Sequence, residues 1–181
     1  MKKIAVIYKS NYGATKQYAQ WIATALQADL FERKVVTPAM LGDYDCIIYG
    51  GGLYASGVIG SDIVAKNPCQ QLLVFTVGLA DPAKADYQAI MSRAFPNLAY
   101  QPEKVWHFRG AIDYSKLGFL HRNLMKVVKK SAEKKPESQR NEDEKVMLAT
   151  YGQQVDFIDQ TVIKSLIDYV NEKSSGMKTY S

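Results

Sequence analysis

Apolar residues recur along the chain in short blocks that alternate with amphipathic stretches. Residues 3–8 (KIAVIY) are a β-branched block, polar only at Lys3, and predict a strand buried on both faces. Residues 14–27 place Tyr18, Trp21, Ile22, Ala25 and Leu26 at helical spacing. A second, weaker strand follows at 30–36, with a helical turn at 38–41. A third strand at 45–49 is closed by Gly50, Gly51 and Gly52. Ser61 is placed to cap a short helix over 61–66. The fourth strand spans 71–77 and ends at Gly78, and Pro82 then opens a helix to about Phe95. A fifth strand covers 104–111. The last helix covers 154–172, with Val155, Ile158, Val162, Ile163, Leu166, Ile167 and Val170 on its apolar face.

Strands alternating with helices five times predict an α/β fold, with a parallel sheet covered on both sides. One feature breaks the rhythm. About 40 residues separate the fifth strand from the last helix, where two to six would suffice. Residues 113–148 are therefore read as an insertion in a single domain over 1–173, followed by a polar, mobile tail at 174–181. Within the insertion, Phe119, Leu120, Leu124, Val127 and Val128 give a helical apolar stripe, and 134–145 (KKPESQRNEDEK) reads as an exposed, mobile loop.

Charge sharpens this division. The net charge is +5 over 181 residues. Between Tyr114 and Lys135 stand Lys116, Arg122, Lys126, Lys129, Lys130, Lys134 and Lys135 against Glu133 alone. The basic excess belongs to that segment, either as a solvated helix face or as a patch for an anionic surface or partner. Its apolar stripe serves equally for packing on the sheet edge, a homodimer contact, a contact with substrate, or a peripheral contact with the inner face of a membrane. Nothing suggests nucleic acid as a partner. No apolar run is long enough to span a bilayer, and the five-residue apolar block at the start is too short for a signal peptide, so a cytoplasmic location is expected. Cys46 and Cys69 match no metal or redox spacing and read as free thiols. His107 and His121 are too few for a metal site. His107 reads as a satisfied strand residue and His121 as solvated.

Chemistry concentrates after the first strand, where Ser10-Asn11-Tyr12-Gly13-Ala14-Thr15 leads into a helix. A helix N-terminus offers unpaired N–H groups and a positive dipole end, which suit a phosphate. Ser10, Asn11 and Thr15 add neutral donors, and Gly13 permits close backbone approach. No lysine or arginine lies within these six residues, so a phosphate here would be held in place, not transferred. Neither GxxxxGK[ST] nor GxGxxG stands after the first strand.

Val6-Ile7-Tyr8-Lys9-Ser10-Asn11-Tyr12-Gly13-Ala14-Thr15, with Ala19 and Ile22 beyond, resembles the flavodoxin signature. The resemblance implies a doubly wound five-stranded sheet of order 2-1-3-4-5 and FMN as cofactor, bound beyond the carboxyl ends of the strands. It implies that Ser10 to Thr15 hold the phosphate. It also directs attention to Leu53, Tyr54 and Ala55, with Tyr54 able to stack on the flavin ring. The backbone of Thr76, Val77, Gly78 and Leu79 would then bond the ring's pyrimidine edge. Gly51-Gly52-Leu53-Tyr54-Ala55-Ser56-Gly57 and Arg109-Gly110-Ala111-Ile112-Asp113-Tyr114 resemble segments of the flavodoxin-like, menaquinone-dependent protoporphyrinogen oxidases, which also carry a basic insertion. That resemblance implies an FMN oxidoreductase with a porphyrinogen and a quinone as redox partners. A flavodoxin carrying electrons between redox proteins is the alternative, and a colourless binding module a third. No catalytic side chain is assigned.

Overall fold

The computed structural model describes residues 2–54, 57–84, 86–97 and 100–176. Five parallel strands form the central sheet: β1 (Ile4–Lys9), β2 (Asp29–Glu32), β3 (Cys46–Tyr54), β5 (Leu72–Gly78) and β6 (Lys104–Arg109). Their spatial order is β2-β1-β3-β5-β6, with the short β4 (Gly57–Val58) folded back on β3 as an antiparallel hairpin. Counting only the parallel strands, this is the expected 2-1-3-4-5 order. Helices cover both faces. On one, Tyr18, Ile22 and Ala23 of α1 (Ala14–Leu26) and Ile163, Leu166 and Val170 near the C-terminal helix pack on Val6, Ile48, Phe75 and Phe108. On the other, Leu41 of α2 (Pro38–Leu41), Ile63 and Val64 of α3 (Asp62–Ala65) and Ile90 and Met91 of α4 (Gln88–Ala94) pack on Ile7, Ile47, Tyr49 and Val74. The alternation of faces along buried strands is why each reads as an unbroken apolar run.

The glycine triplet is not a strand end. β3 runs through it to Tyr54. A Cβ on Gly50 would stand 2.1 Å from Cζ of Phe75, and one on Gly51 2.5 Å from Cγ1 of Val58. These glycines leave room for neighbouring side chains and do not mark a turn.

Other boundaries shift for local reasons. β2 stops at Glu32 because Arg33–Val35 turns into a 3₁₀ helix. Ser61 stands at the start of α3, but its hydroxyl donates to the Val58 carbonyl and caps no N–H. Instead of opening at Pro82, α4 begins at Gln88, after Asp81 and Asp86 accept backbone bonds from Ala83 and Gln88 in successive turns. Gly110 ends β6, and Ala111–Asp113 becomes β7, paired antiparallel with β8 (Gln154–Asp156). The expected last helix is therefore a strand at its start. Its helical part, α7, is Lys164–Gly176, entered through a 3₁₀ turn at Gln160–Ile163. Ser174 to Gly176 belong to this helix, and the rest of the expected mobile tail lies outside the described residues.

Between β7 and β8 lies a helical hairpin. α5 (Phe119–Glu133) bears out the helical stripe. The polar run after it is no loop. It holds a 3₁₀ turn and then α6 (Glu142–Thr150), which starts with a capping box: Asn141 Oδ1 accepts from the Glu144 N–H at 2.8 Å, and Glu144 Oε2 from the Asn141 N–H at 3.1 Å. Arg140 closes the corner, its Nε donating to the carbonyls of Ala132 and Lys135 at 3.0 and 3.1 Å.

Candidate functional site

Parallel pairing sets the β1–α1 loop beside the glycines of β3, with Lys9 opposite Gly51. Ser10 Oγ accepts from the Gly13 N–H at 3.0 Å and draws the loop into a tight turn. Gly13 has φ 97°, ψ −29°, the left-handed region where a Cβ is strained. The first α1 bond runs from Gln17 N–H to the Gly13 carbonyl at 2.9 Å. By helix geometry the N–H groups of Ala14, Thr15 and Lys16 have no acceptor within the helix. Thr15 is only 4% exposed, and its hydroxyl takes part in no hydrogen bond found among the described residues. A hydroxyl left without a partner on an otherwise buried threonine, beside three donors at the positive end of a 13-residue helix, fits a phosphate monoester. Asn11 and Tyr12 are exposed at the loop's tip.

The strand ends make the floor. Gly110 follows β6, and its N–H donates to the Gly78 carbonyl at 2.7 Å. A Cβ there would lie 2.8 Å from Cγ1 of Val77 and 3.5 Å from Cβ of Ala14. Gly110 thus lets three segments converge: the start of α1, the end of β5 and the exit of β6. Gly78 in turn faces Leu53, whose Cδ1 would be 3.3 Å from an added Cβ. Ala14, Val77, Gly78 and Leu53 are thereby gathered at one edge of the sheet. Ala55 and the side chain of Tyr54 lie outside the described residues.

The segment after β5 is held from the inserted side. Arg109 donates from Nε and Nη2 to the Leu79 carbonyl at 3.1 and 3.0 Å, while its guanidinium lies 3.6 Å from the centre of the Phe157 ring. The Leu79 side chain joins Ile112, Tyr114, Leu117 and Met125 in a small apolar cluster. Tyr18 ties the far side together. Its hydroxyl donates to the Arg109 carbonyl at 2.8 Å and accepts from Asp159 N–H at 3.1 Å. Burial pushes its phenol pKa up, which keeps that proton in place.

Thr76 sits apart. Its side chain is fully buried on the sheet face opposite Val77, and its hydroxyl shares a hydrogen bond with Nδ1 of His107. His107 stacks on Tyr87 with ring centres 3.5 Å apart. Burial depresses the imidazole pKa to about 4 and raises the Tyr87 phenol to about 12, so both are neutral near pH 7. His107 is thus a satisfied strand residue, as its position implied. His121 is not simply solvated: its ring meets Tyr12 of the phosphate loop edge-on at 5.5 Å. Cys46 and Cys69 are free thiols, and burial pushes them up to about 12 and 11. Among the described residues no group of three or more His, Cys, Asp or Glu could hold a metal ion, and no helix is long and apolar enough to cross a membrane.

Sequence reasoning passed over Gly110, Arg109 and His121 as site residues. A glycine directly after a buried strand was a usable signal for Gly110. The Arg109 clamp and the His121 contact join residues far apart in sequence, and no local pattern announces them.

A flavodoxin domain family matches residues 5–139, and the chain belongs to that family. Among solved structures, a WrbA-like flavodoxin from Agrobacterium tumefaciens is 20% identical, with 61% of this chain and 84% of that one covered at a TM-score of 0.46. Flavodoxin 2 from Bacillus cereus is 20% identical over 59% and 84%, with a TM-score of 0.46. A flavoprotein in complex with FMN from Lactobacillus acidophilus is 15% identical over 59% and 93%, with a TM-score of 0.45. The comparison with curated proteins found no match.

Proposed function

We propose that the chain binds FMN and is an oxidoreductase that takes hydrogen pairwise from a porphyrinogen and reduces a quinone to a quinol. FMN, when bound, supplies the redox chemistry. The chain's own residues hold and shelter it. Ser10, Thr15 and the first N–H groups of α1 hold the phosphate, Gly13 and Gly110 keep the approach open, and Arg109 fixes the backbone of Leu79 beside the end of β5.

The observation that carries the enzyme reading is the placement of the insertion. α5 touches the phosphate loop through His121 and Tyr12, and the cluster beneath α5 takes in Leu79. The inserted helices therefore wall the same sheet edge at which the site residues gather. A wall there gives a substrate something to bind against. The resemblance of 51–57 and 109–114 to the flavodoxin-like protoporphyrinogen oxidases supports a porphyrinogen in that place. The exposure of Asn11, Tyr12 and Gly13 favours the second reading, an electron carrier that presents its cofactor to another redox protein.

One anaerobic experiment separates the two. FMN-loaded protein is mixed with protoporphyrinogen, and flavin absorbance and porphyrin fluorescence are followed together. The enzyme reading expects flavin bleaching matched by porphyrin formation, and reoxidation on adding a quinone. No bleaching with porphyrinogen, but rapid bleaching by a reductase protein, leaves only the carrier.

A further inference from the structure

α5 turns one side inward and leaves the other uncovered. Inward, Met125 joins the Leu79 cluster and Ala132 is fully buried. Outward, Phe119 is 83% exposed, Val127 65% and Leu124 48%. Large apolar groups at such exposure on one helix face mark an interaction surface. The helix is held firmly in this attitude. Arg122 donates to the carbonyls of Ser115 and Leu117 at the N-terminal end, and Arg140 grips those of Ala132 and Lys135 at the other.

The cations on α5 and at its C-cap, Lys134, divide into two sets. Arg122 is spent on backbone carbonyls, and Lys129 pairs with Glu133 at 3.3 Å and lies over the Tyr151 ring. Lys126, Lys130 and Lys134 are exposed, and among the described residues none of them has an ion pair or hydrogen bond. They stand at i, i+4 and i+8, a ridge about 12 Å long at 1.5 Å per residue. That ridge runs beside the exposed apolar side chains, so one uncovered face carries a strip of cations along a strip of hydrocarbon.

We infer that this face of α5 docks on an anionic lipid surface, with Phe119, Leu124 and Val127 entering the headgroup–acyl boundary and Lys126, Lys130 and Lys134 reaching back to the headgroups. A bilayer presents charge at one depth and hydrocarbon just below it, and flexible lysine stems span the two. A second copy of the chain fits the face poorly, because two-fold packing would set lysine ridge against lysine ridge. His121 meets Tyr12 from the inward side of α5, so docking by the outer face leaves the β1–α1 loop on the side of the helix turned away from the lipid. The inference rests on the helix alone and does not require the flavin or the proposed substrate.

The test is co-sedimentation of the full-length protein with vesicles of phosphatidylcholine alone or mixed with phosphatidylglycerol. Binding is expected only with the anionic lipid, and about 1 M salt, where the screening length falls to about 3 Å, should release it. Each lysine near such a surface is worth about fivefold in affinity, so K126E/K130E/K134E should cost at least a hundredfold. F119S/V127S, which alters only exposed positions, should cost at least tenfold. Circular dichroism and FMN titration should leave both variants unchanged, which separates this inference from the cofactor reading. Absence of wild-type binding, binding indifferent to lipid charge, or F119S/V127S binding like wild type would each overturn it. So would a wild-type dimer that F119S dissociates and that ignores anionic vesicles.

Discussion

The sheet and the inserted hairpin are built on different physical terms. In the sheet, order comes from buried apolar contact so close that two glycines of β3 are required where Phe75 and Val58 cross them. In the insertion, order comes mainly from polar groups that satisfy backbone: the Asn141–Glu144 capping box, the Arg140 clamp and the Arg122 contacts, over one small apolar cluster. The core thus tolerates no added volume, whereas the insertion tolerates volume but not the loss of a donor. The candidate site lies where the two meet, with the β1–α1 loop on the rigid part and one wall on the clamped part.

The largest effect expected from this contrast is at Gly50. G50A would place a methyl group 2.1 Å from a fully buried aromatic ring, and overpacking of that kind costs about 3 kcal/mol. Urea denaturation should show that loss. At Gly118, where nothing stands within 4 Å of an added Cβ, alanine should change stability by less than about 0.5 kcal/mol. Equal losses at the two positions would erase the distinction drawn here.

Acid should reach the core through His107. Its folded-state pKa of about 4 lies below the ordinary 6.5, so the unfolded chain binds more protons between those values. The stability that neutral His107 contributes is therefore complete above about pH 6.5 and lost progressively as pH falls toward 4. At about 1.4 kcal/mol per pKa unit, the full loss is about 3 kcal/mol. H107N, which cannot titrate but keeps a polar partner for Thr76, should flatten the unfolding profile over that range. An unchanged slope would show that another group carries the acid sensitivity.

A smaller, local effect is expected at the insertion's corner. R140A removes the donors to Ala132 and Lys135 and should weaken the hairpin by about 1–2 kcal/mol. Hydrogen exchange should quicken across 132–145 while the strands of the sheet keep their protection. Loss of protection in β1 or β3 would mean that the two regions fold as one unit.

Much of the rigid part was legible in the sequence because its signals are local. The block at 3–8 gave β1 nearly to the residue, and Gly13 before a periodic run gave the start of α1. The strand order followed from the flavodoxin resemblance. What escaped depends on neighbours distant along the chain. Gly50 to Gly52 look like a stop until Phe75 is placed beside them. Val155 and Ile158 fall in step with the apolar face of α7, so β8 was hidden inside an apparent helix until Ile112 came to pair with Val155. The run at 134–145 was too polar to suggest a packed element, although Asn141 with Glu144 three residues on is a helix-start pattern that could have been read. In the candidate site, the turn at Ser10–Gly13 and the helix that follows it were readable because they are built locally. The floor at Gly110 and the clamp at Arg109 were not, because they join β6 to the end of β5.

The claim on which the rest depends is that the turn from Ser10 to Thr15 grips a phosphate through uncharged donors. Titrating the protein with FMN and with riboflavin, and following quenching of flavin fluorescence, tests it most directly. The account predicts saturable quenching by FMN and binding of riboflavin at least a hundredfold weaker, with G13A closing most of that gap. Equal affinity for the two flavins, or no quenching by FMN, would contradict it.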